Sequence, residues 1–139
     1  MAHTLIADDE QIFFRGDYQR RINSPIITTG NELVAEEIGE FSRKLSIDEL
    51  YNYIREVDAS TTQILKSLSY GETKAKITDE KRDRLEKLKV VSEDESAFWL
   101  IDYWCKKDVR GLIQMPFSRH WIMHIEGCLK IKEKLLSGK

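Results

Sequence analysis

The sequence predicts an all-α fold, a four-helix bundle with irregular connections. Three observations predict it. Only seven Gly and two Pro interrupt 139 residues, which leaves long stretches without a breaker. Apolar residues recur at three- and four-residue steps over residues 47–68. Four segments have the length and patterning of substantial helices. The whole chain, 1–139, is room for one domain with its own core.

The first predicted helix covers residues 2–22. Leu5, Ile6, Ile12, Phe13, Tyr18 and Ile22 give it an apolar side, and Ser24 with Pro25 stops it. Residues 23–45 are the least regular, with a loop from Pro25 to Gly30 and room for a short helix over 32–45. The second helix is capped by Ser46, with Glu49 three residues on as the partner of a capping box. Ile47, Leu50, Ile54, Val57, Thr61, Ile64 and Leu68 then form a stripe that calls for a helical partner. Tyr70 and Gly71 end it. A short charged helix follows over 78–88. Ser92 and Glu95 make a second capping box before an aromatic-rich helix over 94–107. Residues 108–115 form a short helix or turn closed by Pro116. The last helix runs over 117–136, with Lys130, Lys132 and Lys134 towards the end the macrodipole favours for cations.

Composition narrows the function. Hydrophobic residues at 41% and charged residues at 33% describe a folded, water-soluble chain. A net charge of −2 argues against a general nucleic-acid binder. That figure averages −6 over residues 1–60 and +4 over residues 61–139, spread through helical charge patterns. No apolar run reaches the ~18 residues of a membrane span, so no membrane partner is expected. The opening residues, interrupted by Asp8, Asp9 and Glu10, do not read as a signal peptide. Cys105 and Cys128 are too few for a disulfide framework, so a reducing, cytoplasmic setting is expected.

The chemistry-bearing residues cluster late. His120 and His124 stand four apart in the last helix, where i and i+4 share a face and can share one metal ion. Phe117, Cys128, Ile131 and Leu135 lie on that face, so the pair is expected to point inward. Two core histidines bonded to buried partners would give the same spacing. Trp121 follows His120 where a zinc protease needs Glu, which excludes that motif. A third ligand must come from another helix, and His3 is the remaining histidine. Three His with an open position suit a catalytic metal. Glu10 and Glu126 can stand behind the ligands, or are surface acids. Cys128 can reach a metal, react as a thiol, or fill space. Arg110 and Arg119 can clamp a ligand carboxylate, or are solvated. Trp99, Trp104 and Trp121 can line a pocket or belong to the core. No glycine loop for phosphate is present.

Three stretches carry a family resemblance: Trp99 to Trp104, Lys107 to Leu112, and Met115 through His124, together with the opening His3 to Glu10. They resemble the DinB-like family, the damage-inducible group of metal-dependent helical bundles. The resemblance implies a divalent metal, zinc or nickel, held by one early His and a late pair, here His3, His120 and His124. It implies transfer of a low-molecular-weight thiol, such as bacillithiol, mycothiol or glutathione, to a small electrophile. Arg110, Arg119, Trp121 and Cys128 would then face substrate. A metal-dependent hydrolase and a non-catalytic stress-related binding protein are the alternatives. Family members carry a whole helix before the first His. This chain therefore either completes the bundle with its 94–107 helix or covers the exposed face as a homodimer.

Overall fold

The computed structural model describes residues 2–138, and the side chains of all of these but Phe117 and Arg119. The chain is mostly helical, and no strand forms among the described residues. A π-helical turn, Ala2–Ala7, opens it. Helices α1 (Ile12–Arg15), α2 (Tyr18–Ile22), α3 (Ala35–Lys44) and α4 (Ile47–Ser67) follow. After a 3₁₀ turn, Glu72–Lys74, come α5 (Asp79–Lys87), α6 (Glu95–Cys105) and α7 (Val109–Gln114). A second π-turn, Pro116–His120, leads into α8 (Trp121–Ser137).

The single helix expected over 2–22 is three pieces. Asp8 (φ 56°) and Asp17 (φ 51°) adopt the left-handed region, and Asn23 (φ 60°) ends α2 the same way. Short polar side chains tolerate that conformation, so the breaks fall on Asp and Asn rather than Gly. Both expected capping boxes are also absent. Ser46 precedes α4 without a side-chain cap, and the Glu49 carboxylate, instead of reaching back to Ser46, is bound to Arg21 at 2.7 Å and to Asn52 at 3.2 Å. Ser92 Oγ accepts from the Asp94 N–H at 3.2 Å, and Asp94 caps α6 by accepting from Ser96 N–H at 2.8 Å. Asp108 caps α7 likewise, on Gly111 N–H at 2.7 Å. At α3 the Glu37 carboxylate reaches back to the Val34 N–H at 2.9 Å.

Two apolar clusters hold the molecule. The larger joins the opening turn to α5, α6 and α7, through Leu5, Leu85, Val90, Val91, Ala97, Leu100, Ile101 and Leu112. Burying each such side chain contributes about 1.5–3 kcal/mol before entropy is counted. Lys81 Nζ donates to the Leu5 and Ile6 carbonyls at 2.9 and 3.3 Å, and Arg84 to Asp8, which ties that turn to α5. The smaller cluster is Ile12, Tyr18 and Ile22, packed on α4 through Leu50, Tyr53 and Val57. The buried Tyr18 hydroxyl donates to Glu56 at 2.6 Å, and that bond raises its pKa above the ordinary phenol value.

Helices α3, α4 and α8 contain no buried residue. The stripe on α4 is only half satisfied: Leu50 and Val57 pack on α2, while Ile47 and Ile54 are exposed. Helix α8 packs chiefly on the turn before it. An open, mainly apolar groove of about 740 Å³ runs between the loop at 24–33, α3 and the start of α4, with Val90 and His124 also lining it. Among the described residues, no helix is long and apolar enough to cross a membrane.

Candidate functional site

Pro116 leaves its own position without an amide donor, and Ser118 departs from helical geometry (φ −95°, ψ −163°). The chain therefore kinks just before α8 rather than running on as one rod. Beyond the kink the backbone is regular, and the four-residue spacing sets His120 above His124. Their Nε2 atoms lie 3.0 Å apart, with ring centroids at 4.5 Å and planes at 75°. One imidazole donates to the other, or both turn their lone pairs to a shared cation.

The pair does not point inward as its apolar neighbours suggest. His120, His124 and Cys128 are exposed, and Ile131 and Leu135 are 61% and 78% exposed. The physical reason is that α8 packs chiefly on the turn before it, so most of its stripe is left uncovered.

His3 is elsewhere. It is 5% exposed, and its Nε2 lies 2.7 Å from Ser60 Oγ on α4. Burial lowers its pKa below the ordinary histidine value, and the nearby Arg15 cation adds to the effect. Its ring is held by a hydroxyl, and burial disfavours its charged form. Among the described residues, no group of three or more His, Cys, Asp or Glu side chains converges as a metal cage would require.

The remaining candidates are scattered. Arg110 is exposed near the start of α7, with Asp108 at 3.9 Å. Trp121 is 53% exposed at the start of α8. Glu10 and Glu126 are exposed. The Arg119 side chain lies outside the described ones. Cys105 is half-buried beside α5, and burial pushes its thiol pKa up, which makes it a poor nucleophile. Cys128 lies eight residues beyond His120, about 12 Å along the helix, too far to share one ion with both histidines.

The donor pair itself fits a divalent ion. Two nitrogens at ~2.05 Å from a tetrahedral centre stand about 3.3 Å apart. The observed 3.0 Å is within a small side-chain adjustment of that. The two imidazoles would fill two positions of the coordination sphere.

Several polar pairs near the smaller cluster are invisible to sequence reading: Ser60 with His3, Glu56 with Tyr18, and Glu49 with Arg21. Their members are separated by 57, 38 and 28 residues, and no local spacing signals them. The groove residues Ile26, Leu33, Ile38 and Phe41 were likewise legible only as an irregular stretch. Comparison with protein-family models, with curated proteins and with solved structures finds no match to this chain.

Proposed function

We propose that the chain is a divalent-metal-binding helical-bundle protein of the DinB-like type, holding zinc or nickel on His120 and His124. Its reaction, on this reading, transfers a low-molecular-weight thiol to a small electrophile in the reducing cytoplasm. The observation that carries the proposal is the 3.0 Å separation of two exposed imidazole nitrogens, His120 at the end of the π-turn and His124 in the first turn of α8. Free Cys105 and Cys128 agree with a reducing setting.

A divalent cation held there would favour the ionised form of a thiol near neutral pH. The chain's own residues do the rest. His120, which ends the π-turn, and His124, in the first turn of α8, orient the site by their four-residue spacing. The apolar wall of the groove that His124 helps to line suits the apolar part of a small electrophile. His3 supports the site only at a distance, by pinning the opening turn to α4.

Zinc or nickel titration of the purified chain by calorimetry tests the proposal. One ion per chain is expected. His120→Ala or His124→Ala should weaken binding by tenfold or more, on the order seen when even the residues behind a metal's ligands are lost. His3→Ala should leave binding in place. A wild-type chain that takes up no ion overturns the reading. Consumption of glutathione in the presence of an activated haloarene then separates transfer from simple metal binding.

A further inference from the structure

One chain leaves the histidine pair short of donors. Zinc takes about four in a tetrahedron, and His120 and His124 supply a pair of them. Among the described residues, no third His, Cys, Asp or Glu converges on them. His3 is buried against Ser60. Cys128 lies about 12 Å along the helix from His120.

The surroundings of the pair on α8 indicate what completes it. His120 has helical dihedrals (φ −59°, ψ −50°), so it continues the helix that carries His124. At about 100° per residue, Gly127, Ile131 and Leu135 fall within about 40° of the line midway between the two histidines. From His120 to Leu135 these residues follow in steps of four, three, four and four, the spacing of a seam between two helices. The seam is bare. Ile131 and Leu135 are mostly exposed, and a Cβ added at Gly127 would meet no atom within 4 Å. Cys128 and Lys134 mark its edges. Lys130 and Lys132 stand about 100° to either side, clear of the contact, and both are exposed. The titratable groups within the seam are thus the metal donors themselves.

We infer that one zinc ion joins two copies of the chain, held by His120 and His124 of each, with the two α8 helices side by side and parallel along this seam. The inference rests on the proposed metal reading and concerns the regulation of that site. A two-fold axis running along the seam makes the interface self-complementary, so one histidine pair, used twice, supplies every donor. A second copy brings both things the seam lacks, imidazoles for the ion and an apolar stripe for Ile131 and Leu135. Four nitrogens close the coordination sphere, as in a structural zinc site, and leave no position for a thiol. An ion on one copy alone keeps open positions, as a catalytic site must. The bridged dimer is therefore the resting form of the proposed site, and the single copy is the reactive one.

Sedimentation equilibrium of the chelator-treated full chain, with zinc added in steps, tests it. About half an equivalent of zinc should double the mass from 16.3 kDa. A large excess loads each pair separately, at one ion per chain, and should restore 16.3 kDa. An unchanged mass, with zinc uptake seen by calorimetry, overturns the bridge and leaves the two-histidine site standing. No uptake overturns both. A dimer already present without zinc overturns the bridge as its cause. A mass that keeps rising with excess zinc overturns it as well, by marking adventitious surface cross-linking only. Two variants locate the contact. His124→Ala should abolish the doubling. Ile131→Glu, at an exposed position away from the ion, should raise the chain concentration needed for doubling by about tenfold or more. It should still take up one ion per chain at saturation. Far-UV circular dichroism should show wild-type helicity in both. A doubling indifferent to Ile131→Glu overturns the parallel seam.

Discussion

Replacing His3 with Gln tests the account of the opening turn most directly. His3 is buried and its pKa is lowered by that burial, so the fold favours its neutral form. The unfolded chain has the ordinary value of 6.5. Above 6.5 both states are neutral, and pH has no leverage through this residue. As pH falls below 6.5 the unfolded state takes up a proton that the folded state refuses. Stability is therefore complete above the unfolded value and is lost on acidification until the folded pKa is reached. The loss through one group cannot exceed about 1.4 kcal/mol per pH unit. Gln can still meet Ser60 Oγ, now at 2.7 Å from the imidazole, but it does not titrate. Urea unfolding at about pH 8 and about pH 5 should show wild type losing more stability than His3→Gln on acidification. Parallel losses in the two proteins would refute a buried neutral His3. A wild type that gains relative to the variant in acid would mean His3 is charged in the fold.

Other outcomes follow from the packing. Gly16→Ala would place a Cβ 2.6 Å from Tyr18 Cε2 and 3.1 Å from the Ile12 carbonyl, and should cost about 1–3 kcal/mol in a thermal melt. An unchanged melting temperature would mean the Tyr18 ring is not fixed. Leu112→Ala, at a fully buried site, should cost about 2–5 kcal/mol in urea unfolding; a cost under about 1 kcal/mol would contradict the larger cluster. Thr4→Val should be neutral or stabilising by up to about 1 kcal/mol, because the buried Thr4 Oγ1 has no hydrogen-bond partner among the described residues. A marked loss there would reveal a partner. Asp108→Ala should cost about 1 kcal/mol through the lost bond to Gly111, and Asn at that position should restore most of it.

Helix existence was legible where apolar residues repeat. The stripe from Ile47 to Leu68 is α4, and the pattern around Trp99 is α6. Boundaries were less legible because they depend on partners. Ser46 and Glu49 have capping-box spacing, yet Arg21 competes for the Glu49 carboxylate from 28 residues away. The breaks at Asp8 and Asp17 were hidden because hydrophobic periodicity records which face is apolar, not which residue has positive φ. At the candidate site, the spacing of His120 and His124 set their nitrogens together, as a helix must. Their exposure was not legible. A stripe of apolar residues says that a helix wants to be covered, and only tertiary arrangement says by what.

The division between helices that hold buried residues and helices that hold none reaches beyond architecture. The opening turn, α5, α6 and α7 share one apolar cluster and should lose their amide hydrogens to exchange as a single slow unit. The amides of α8 rest on local bonds within one helix, and 17 residues are marginal for an isolated helix in water. One polypeptide thus carries two tiers of protection. The slow tier is a property of the sequence alone, whereas the fast tier responds to whatever surrounds the molecule.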